Sequence, residues 1–205
     1  MARVNKSKVN LGTLTEWIKA MDRKISIKVG IIGEQATQIH EGTGLTNAEL
    51  GAVHEFGATI NHPGGTPYFI KEDGTAQFVS KDKGEKLPKT KPHQITIPAR
   101  SFLREPILGK DGKKEIIKVV ESQISKQFKA TELSPGTANK IIDDTAELIA
   151  TAAYLRVIKA FENNTIQPPT TTASKKKRKY NPNNPTLVDS GQLKKSISYE
   201  VKEIK

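Results

Sequence analysis

Apolar residues at Leu14, Trp17, Ile18 and Met21 recur at i, i+3, i+4 and i+7. That spacing predicts a helix over about 13–21, with this face and Trp17 turned to the core. The period then shortens to two. In ISIKVGII (25–32), Ile25, Ile27, Val29 and Ile31 alternate with Ser26, Lys28 and Gly30, which predicts a strand ended by Gly33. EQATQIHEGTG reads as a polar, mobile connection. Thr46 and Glu49 have capping-box spacing, so a helix opens at Thr46. Leu50, Val53 and His54 share one of its faces, and Gly57 stands where a left-handed C′ residue ends it.

Residues 58–97 read as an elaborated β-hairpin. PYFI and AQFVS flank the KEDG turn, with Asp73-Gly74 as its signal. KDKGEKLPKTKPHQ is lysine-rich and interrupted by prolines, which predicts an exposed flexible loop before ITI resumes extended structure and Pro98 stops it. SFLREPIL predicts a short helix or turn capped by Ser101. Ile116, Ile117, Val120, Ile124 and Phe128 form one stripe of a helix over 113–130. After Ser134-Pro135-Gly136 comes the longest helix, about 137–163, with Ile141, Leu148, Ala152, Leu155, Ile158 and Phe161 as its expected buried stripe. The small residues of ELIATAAY suggest close packing against a sheet or another helix.

Residues 164–186 read as an extended basic arm, since prolines, threonines and KKKRK argue against a packed element. Asp189 or Ser190 caps a helical turn over 192–195, and ISYEV alternates as a final strand that pairs with an earlier one. The expectation is one α+β domain over 1–205: a small, mainly antiparallel sheet against a long helix, a protruding hairpin elaboration at 61–94 and the arm at 164–186.

Composition narrows the function classes. In 205 residues, 35% are hydrophobic and 5% aromatic, enough for one modest core. The net charge of +11 favours a polyanion or an acidic protein surface as partner. The chain has no cysteine, which excludes disulfides and thiolate metal ligands. No apolar run approaches the ~18 residues of a membrane span, and MARVNKSKVNLGTL lacks a signal-like run, so synthesis in the cytoplasm without a membrane is expected.

Candidate chemistry is sparse. His40, His54, His62 and His93 show no metal-site spacing. His54-Glu55 is half of a zinc-protease motif, but position 58 is alanine. Asp143, Asp144 and Glu147 suit the dipole of a helix's first turns better than acid–base work. Gly64-Gly65 and GTG at 42–44 lack the neighbours of a phosphate loop. No catalytic set, cofactor or metal site is therefore expected. Lys175, Lys176, Lys177, Arg178 and Lys179 beside Tyr180 suit contact with a DNA backbone or an acidic partner, or a solvated arm. Arg100 and Arg104 flank Phe102, either pairing within the fold or anchoring a subunit interface.

Three blocks in order carry a resemblance: LTNAELGAVHEFG (45–57), ITIPARSFLR (95–104) and LVDSGQLKKSISYEV (187–201), with the strand KVGII ahead of the first. Together the chain resembles the tail-completion, or head–tail joining, proteins of the neck of long-tailed bacteriophages. The matching segments cover about 60 residues: 25–60, 95–105 and 187–201. The resemblance implies an α+β structural virion protein without enzymatic activity. Such a protein is assembled in the bacterial cytoplasm as a homo-oligomeric, commonly hexameric ring at the head–tail junction. Its implied partners are other neck proteins and the tail tube or terminator, with non-specific DNA contact in the channel. Tail terminators and other virion-morphogenesis proteins look similar, and a DNA-binding accessory protein is the alternative from another class. On this reading Leu50, Val53, His54, Phe56, Arg100, Phe102, Leu103 and Arg104 meet neighbouring subunits.

Overall fold

Alternation at 25–31 becomes strand β1 (Lys24–Ile31), and its partner is the last strand, β6 (Ile197–Ile204). They pair antiparallel in continuous register from Lys24↔Ile204 to Ile31↔Ile197. The computed structural model describes residues 11–130, 136–172, 174 and 183–204. Across the β1–β6 ribbon lies the long helix α6 (Thr137–Glu162), which packs on both strands. The architecture is α+β, as the order of elements predicts.

The face that α6 buries differs from the expected stripe. Ala146, Ala150, Ala153, Val157, Ala160 and Phe161 are buried, whereas Leu155 is 46% exposed and Leu148, Ala152 and Ile158 are half-buried. Only Ile141 and Phe161 of the expected stripe are fully inside. Alanines let the helix axis approach the ribbon closely, so the small-residue face goes inward. The larger residues flank it and reach the core only by their sides.

The first helix, α1 (Leu11–Met21), makes the same inversion. Thr13 and Ala20 are buried and Trp17 is half-buried, while Leu14, Ile18 and Met21 are 48%, 57% and 64% exposed. Leu14, Ile18 and Met21 of the expected face therefore point away from the core while Trp17 is partly covered, and α1 seats its smaller face on α6. Arg23, just after α1, fastens this corner. Its guanidinium donates to both Glu203 carboxylate oxygens at 3.0 and 3.1 Å and lies 2.8 Å from Asp143. Asp143 thus has a structural partner.

The connection at 34–44 is more ordered than its composition suggests. A short helix, α2 (Glu34–Thr37), and an antiparallel bridge between Ile39 and Thr46 organise it. Helix α3 (Asn47–Phe56) follows with its capping box formed: the Glu49 N–H donates to Thr46 Oγ1, and Glu49 Oε2 accepts from the Thr46 N–H. Gly57 does take a positive φ, 75°, but with ψ at 169°, so it turns the chain directly into a strand rather than forming a left-handed cap. A Cβ there would meet Ala99 N at 2.8 Å and Ile97 O at 2.9 Å.

Residues 58–97 form the expected hairpin in two tiers. At its base β2 (Ala58–His62) pairs with β5 (His93–Ile97), and farther out β3 (Tyr68–Ile70) pairs with β4 (Ala76–Phe78). The lysine-rich return segment is not loose. Tyr68 N donates to Pro88 O, Thr90 N to Thr66 O and Gly65 N to Thr90 O, which stitches 88–90 alongside 65–68. Gly84 and the fully buried Pro67 pack on each other; a Cβ on Gly84 would lie 2.3 Å from the Pro67 ring.

Helix α4 (Arg104–Leu108) and α5 (Lys110–Ala130) then lead to α6. On α5, Ile116, Val120 and Ile124 are half-buried, but Ile117 of the same expected stripe is 55% exposed. Ser134, Pro135 and the Phe128 side chain lie outside the described residues. The base of the arm is packed rather than linker-like. Ile166 and Thr186 are buried, Thr186 N donates to Asn164 Oδ1, and Thr170 N donates to Thr186 Oγ1. Helix α7 (Gln192–Lys195) has Gly191 at its cap position, and Ser190 Oγ accepts from Gln192 N.

Candidate functional site

The resemblance blocks meet in one place. Phe102 is 0% exposed and sits edge-on to Phe161, ring centroids 5.4 Å apart, in a core shared with Val157, Ile166, Leu193 and Ile197. Phe102 from the second block therefore packs with Leu193 and Ile197 from the third. This corrects the expectation that Phe102 anchors a subunit interface: it is enclosed within its own chain and has no surface to offer. An aromatic flanked by two arginines reads as an anchor in sequence, but the turn carries its ring inward.

What turns it inward is Glu55, which the sequence offers only as half of a zinc-protease motif and not in this role. Glu55 is 4% exposed at the end of α3. Its carboxylate accepts from the Ser101 hydroxyl at 2.6 Å, from Leu103 N at 2.9 Å and from Arg104 N at 3.1 Å. One side chain from the first block thus satisfies the exposed N–H groups that start α4 in the second. Ser101, the expected cap, contributes by accepting from Glu105 N at 3.1 Å, while the geometric cap position is Leu103. The Arg100 N–H donates to His54 O at 2.6 Å and closes the junction. The available signal was spacing: Asn47, Gly51 and Glu55 stand at i, i+4 and i+8 and are the buried residues of α3. A carboxylate on the small-residue face of a helix needs donors waiting for it. The buried Asn47 amide is also partnered, its Nδ2 donating to Gln35 O at 2.9 Å and its Oδ1 lying 2.9 Å from His40 Nδ1.

The remaining expected interface residues divide. Leu50, Val53, His54 and Leu103 are half-buried, and Leu103 packs against the core. Arg100 is held within the chain, its Nε donating to Pro168 O at 2.9 Å. Burial chiefly, with the charges of Arg100 and His40, pushes the His54 imidazole down to about 4. Its enclosed Nδ1 has no hydrogen-bond partner among the described residues. Phe56 and Arg104 do face solvent: Phe56 is 67% exposed, with the Arg104 guanidinium 5.7 Å from its ring centroid. Lys175, Lys176, Lys177, Arg178, Lys179 and Tyr180 lie outside the described residues.

Beside Phe56 opens an apolar groove of about 660 Å³ between β1, α3, α4, α5 and α6. Ile27, Val29, Phe56, Leu108, Ile117 and Ile149 line it, and Arg104 and Lys113 stand among the lining residues as its cations. Among the described residues no group of His, Asp and Glu could hold a metal ion, and no helix is long and apolar enough to cross a membrane. An apolar groove with few polar groups suits binding by shape and burial. Comparison with protein-family models, with curated proteins and with solved structures finds no match to this chain.

Proposed function

We propose that this chain is a structural protein of a bacteriophage neck, completing the tail and joining it to the DNA-filled head as a ring of subunits. The observation that carries the reading is the convergence of the three resemblance blocks. Residues far apart in sequence, Glu55, Phe102 and Leu193 with Ile197, belong to one junction. Convergence on one junction is what the resemblance requires if the three blocks act as a single assembly module. The exposed Phe56–Arg104 pair and the apolar groove beside it supply surface for neighbouring subunits. A ring places many copies of a +11 chain around one channel, which favours retention of DNA there or docking on acidic neck partners.

The test is electron microscopy of particles produced without this chain. Full heads lying apart from finished tails are the expected outcome. Missing heads, or tails of abnormal length, overturn the head–tail joining role and favour a terminator or another morphogenesis step.

A further inference from the structure

Besides the α1 stripe of Leu14, Ile18 and Met21, two apolar surfaces are left uncovered among the described residues. One is the groove just described. The other is the hairpin, whose tiers pack mainly on themselves. Directly paired residues of an antiparallel ladder share a face. In the outer tier that puts Tyr68, Ile70, Ala76 and Phe78 on one side. Ile70 is 58% and Phe78 53% exposed. In the inner tier Ile60 and Ile95 pair on one face and are 47% and 39% exposed. An isolated two-stranded ribbon is marginal in water, and an uncovered apolar face on one marks an interaction surface.

We propose that the hairpin tip of one copy docks in the β1–α3–α4–α5–α6 groove of a second copy. Charge complementarity selects this occupant. The groove carries Arg104 and Lys113, neither in an ion pair among the described residues. The loop between β3 and β4 holds Lys71, Glu72 and Asp73, a net charge of −1, and hydrogen bonds from the Thr75 hydroxyl and N–H hold the Asp73 carboxyl below its usual range. An apolar tip with acids at its turn fits an apolar groove with cations among its walls. The α1 stripe of Leu14, Ile18 and Met21 is equally bare, but α1 carries Glu16 and Lys19 and so no net charge to meet the cations of the groove. Because tip and groove are different parts of the chain, the contact is head-to-tail. A repeated head-to-tail contact closes into a ring or runs on as a filament. The inference shares with the neck reading its need for self-association, and adds which surfaces meet.

The absence of cysteine makes the contact directly measurable. A chain carrying Ile70→Cys is mixed with a chain of different mass carrying Ile117→Cys and oxidised; both positions are exposed, so folding is preserved. A mixed 70–117 disulfide is expected, since only residues brought close can form one. Ile18→Cys mixed with Ile117→Cys is expected to give none. Glu72→Lys is expected to weaken self-association roughly tenfold, and Lys113→Glu in the partner copy to restore it. A chain that stays monomeric at its highest soluble concentration overturns the docking. So does an oligomer that forms without the 70–117 link, or one that links 18 to 117. These last two outcomes leave the ring itself standing, and the particle phenotype judges the neck reading separately.

Discussion

At Glu55 a single carboxylate substitutes for a local helix cap, and its three donors come from residues 46 to 49 positions away. Glu55→Gln keeps the shape but removes the charge and replaces one acceptor oxygen with a donor. Loss of a buried, charge-assisted acceptor costs about 1–3 kcal/mol. The urea midpoint is expected to fall with its slope unchanged, because the surface exposed on unfolding is the same. His54 next door sets a pH dependence. Folding holds its imidazole near 4 against an ordinary 6.5, mainly by burial. The unfolded chain therefore takes up a proton that the folded chain refuses. The associated stability is complete above pH 6.5 and is lost as pH falls from 6.5 toward 4, by up to about 2 kcal/mol for a group that keeps some solvent contact. His54→Phe is expected to flatten that part of the stability profile, read from urea midpoints between pH 7 and 5.

Elements differ in how much they depend on one another. Ala58 and Ile97 are direct partners at the hairpin base, so their backbones stand about 5 Å apart and a two-residue turn can bridge them. Replacing 59–96 by such a turn is expected to leave the body's thermal transition within a few degrees of the intact chain and to abolish self-association. Circular dichroism with size-exclusion chromatography reads both. A collapse of the body transition would mean that the hairpin is part of the core. The same division explains what the sequence made legible. β1, the capping box of α3, the hairpin and the terminal strand depend on local pattern, and each forms as its residues dictate. The buried faces of α1 and α6 were not legible because counting large apolar residues finds the wrong side when small residues make the close contact, those of α6 on the ribbon and those of α1 on α6. Phe102 and Glu55 were misjudged or missed for a related reason. Their roles exist only once α3 and the 98–104 turn are in contact; the i, i+4, i+8 spacing of Asn47, Gly51 and Glu55 marks a buried face but not the segment that covers it.

At the scale of the whole molecule, charge separates the neck reading from its rival. A chain of net charge +11 attracts DNA whatever its role, so binding alone distinguishes nothing. Strength and salt dependence do. A DNA-binding accessory protein concentrates its cations into a footprint that works in a single copy. Its affinity is then tight at physiological salt, and it falls steeply as counterions compete. A ring subunit spreads the same charge around a channel, where many copies act together only after assembly. The isolated chain is therefore expected to bind duplex DNA in the non-specific range, with Kd of roughly 10⁻⁴–10⁻⁶ M at physiological salt. Replacing the five residues Lys175 to Lys179 by alanine is expected to lower the slope of log K against log salt by about 0.9 for each phosphate that is no longer neutralised. Fluorescence anisotropy with a labelled duplex at several salt concentrations measures both quantities. Nanomolar affinity for the monomer, abolished by those alanines, would favour the DNA-binding reading over the neck reading. Weak binding that strengthens in proportion to oligomer formation is what a charged ring requires.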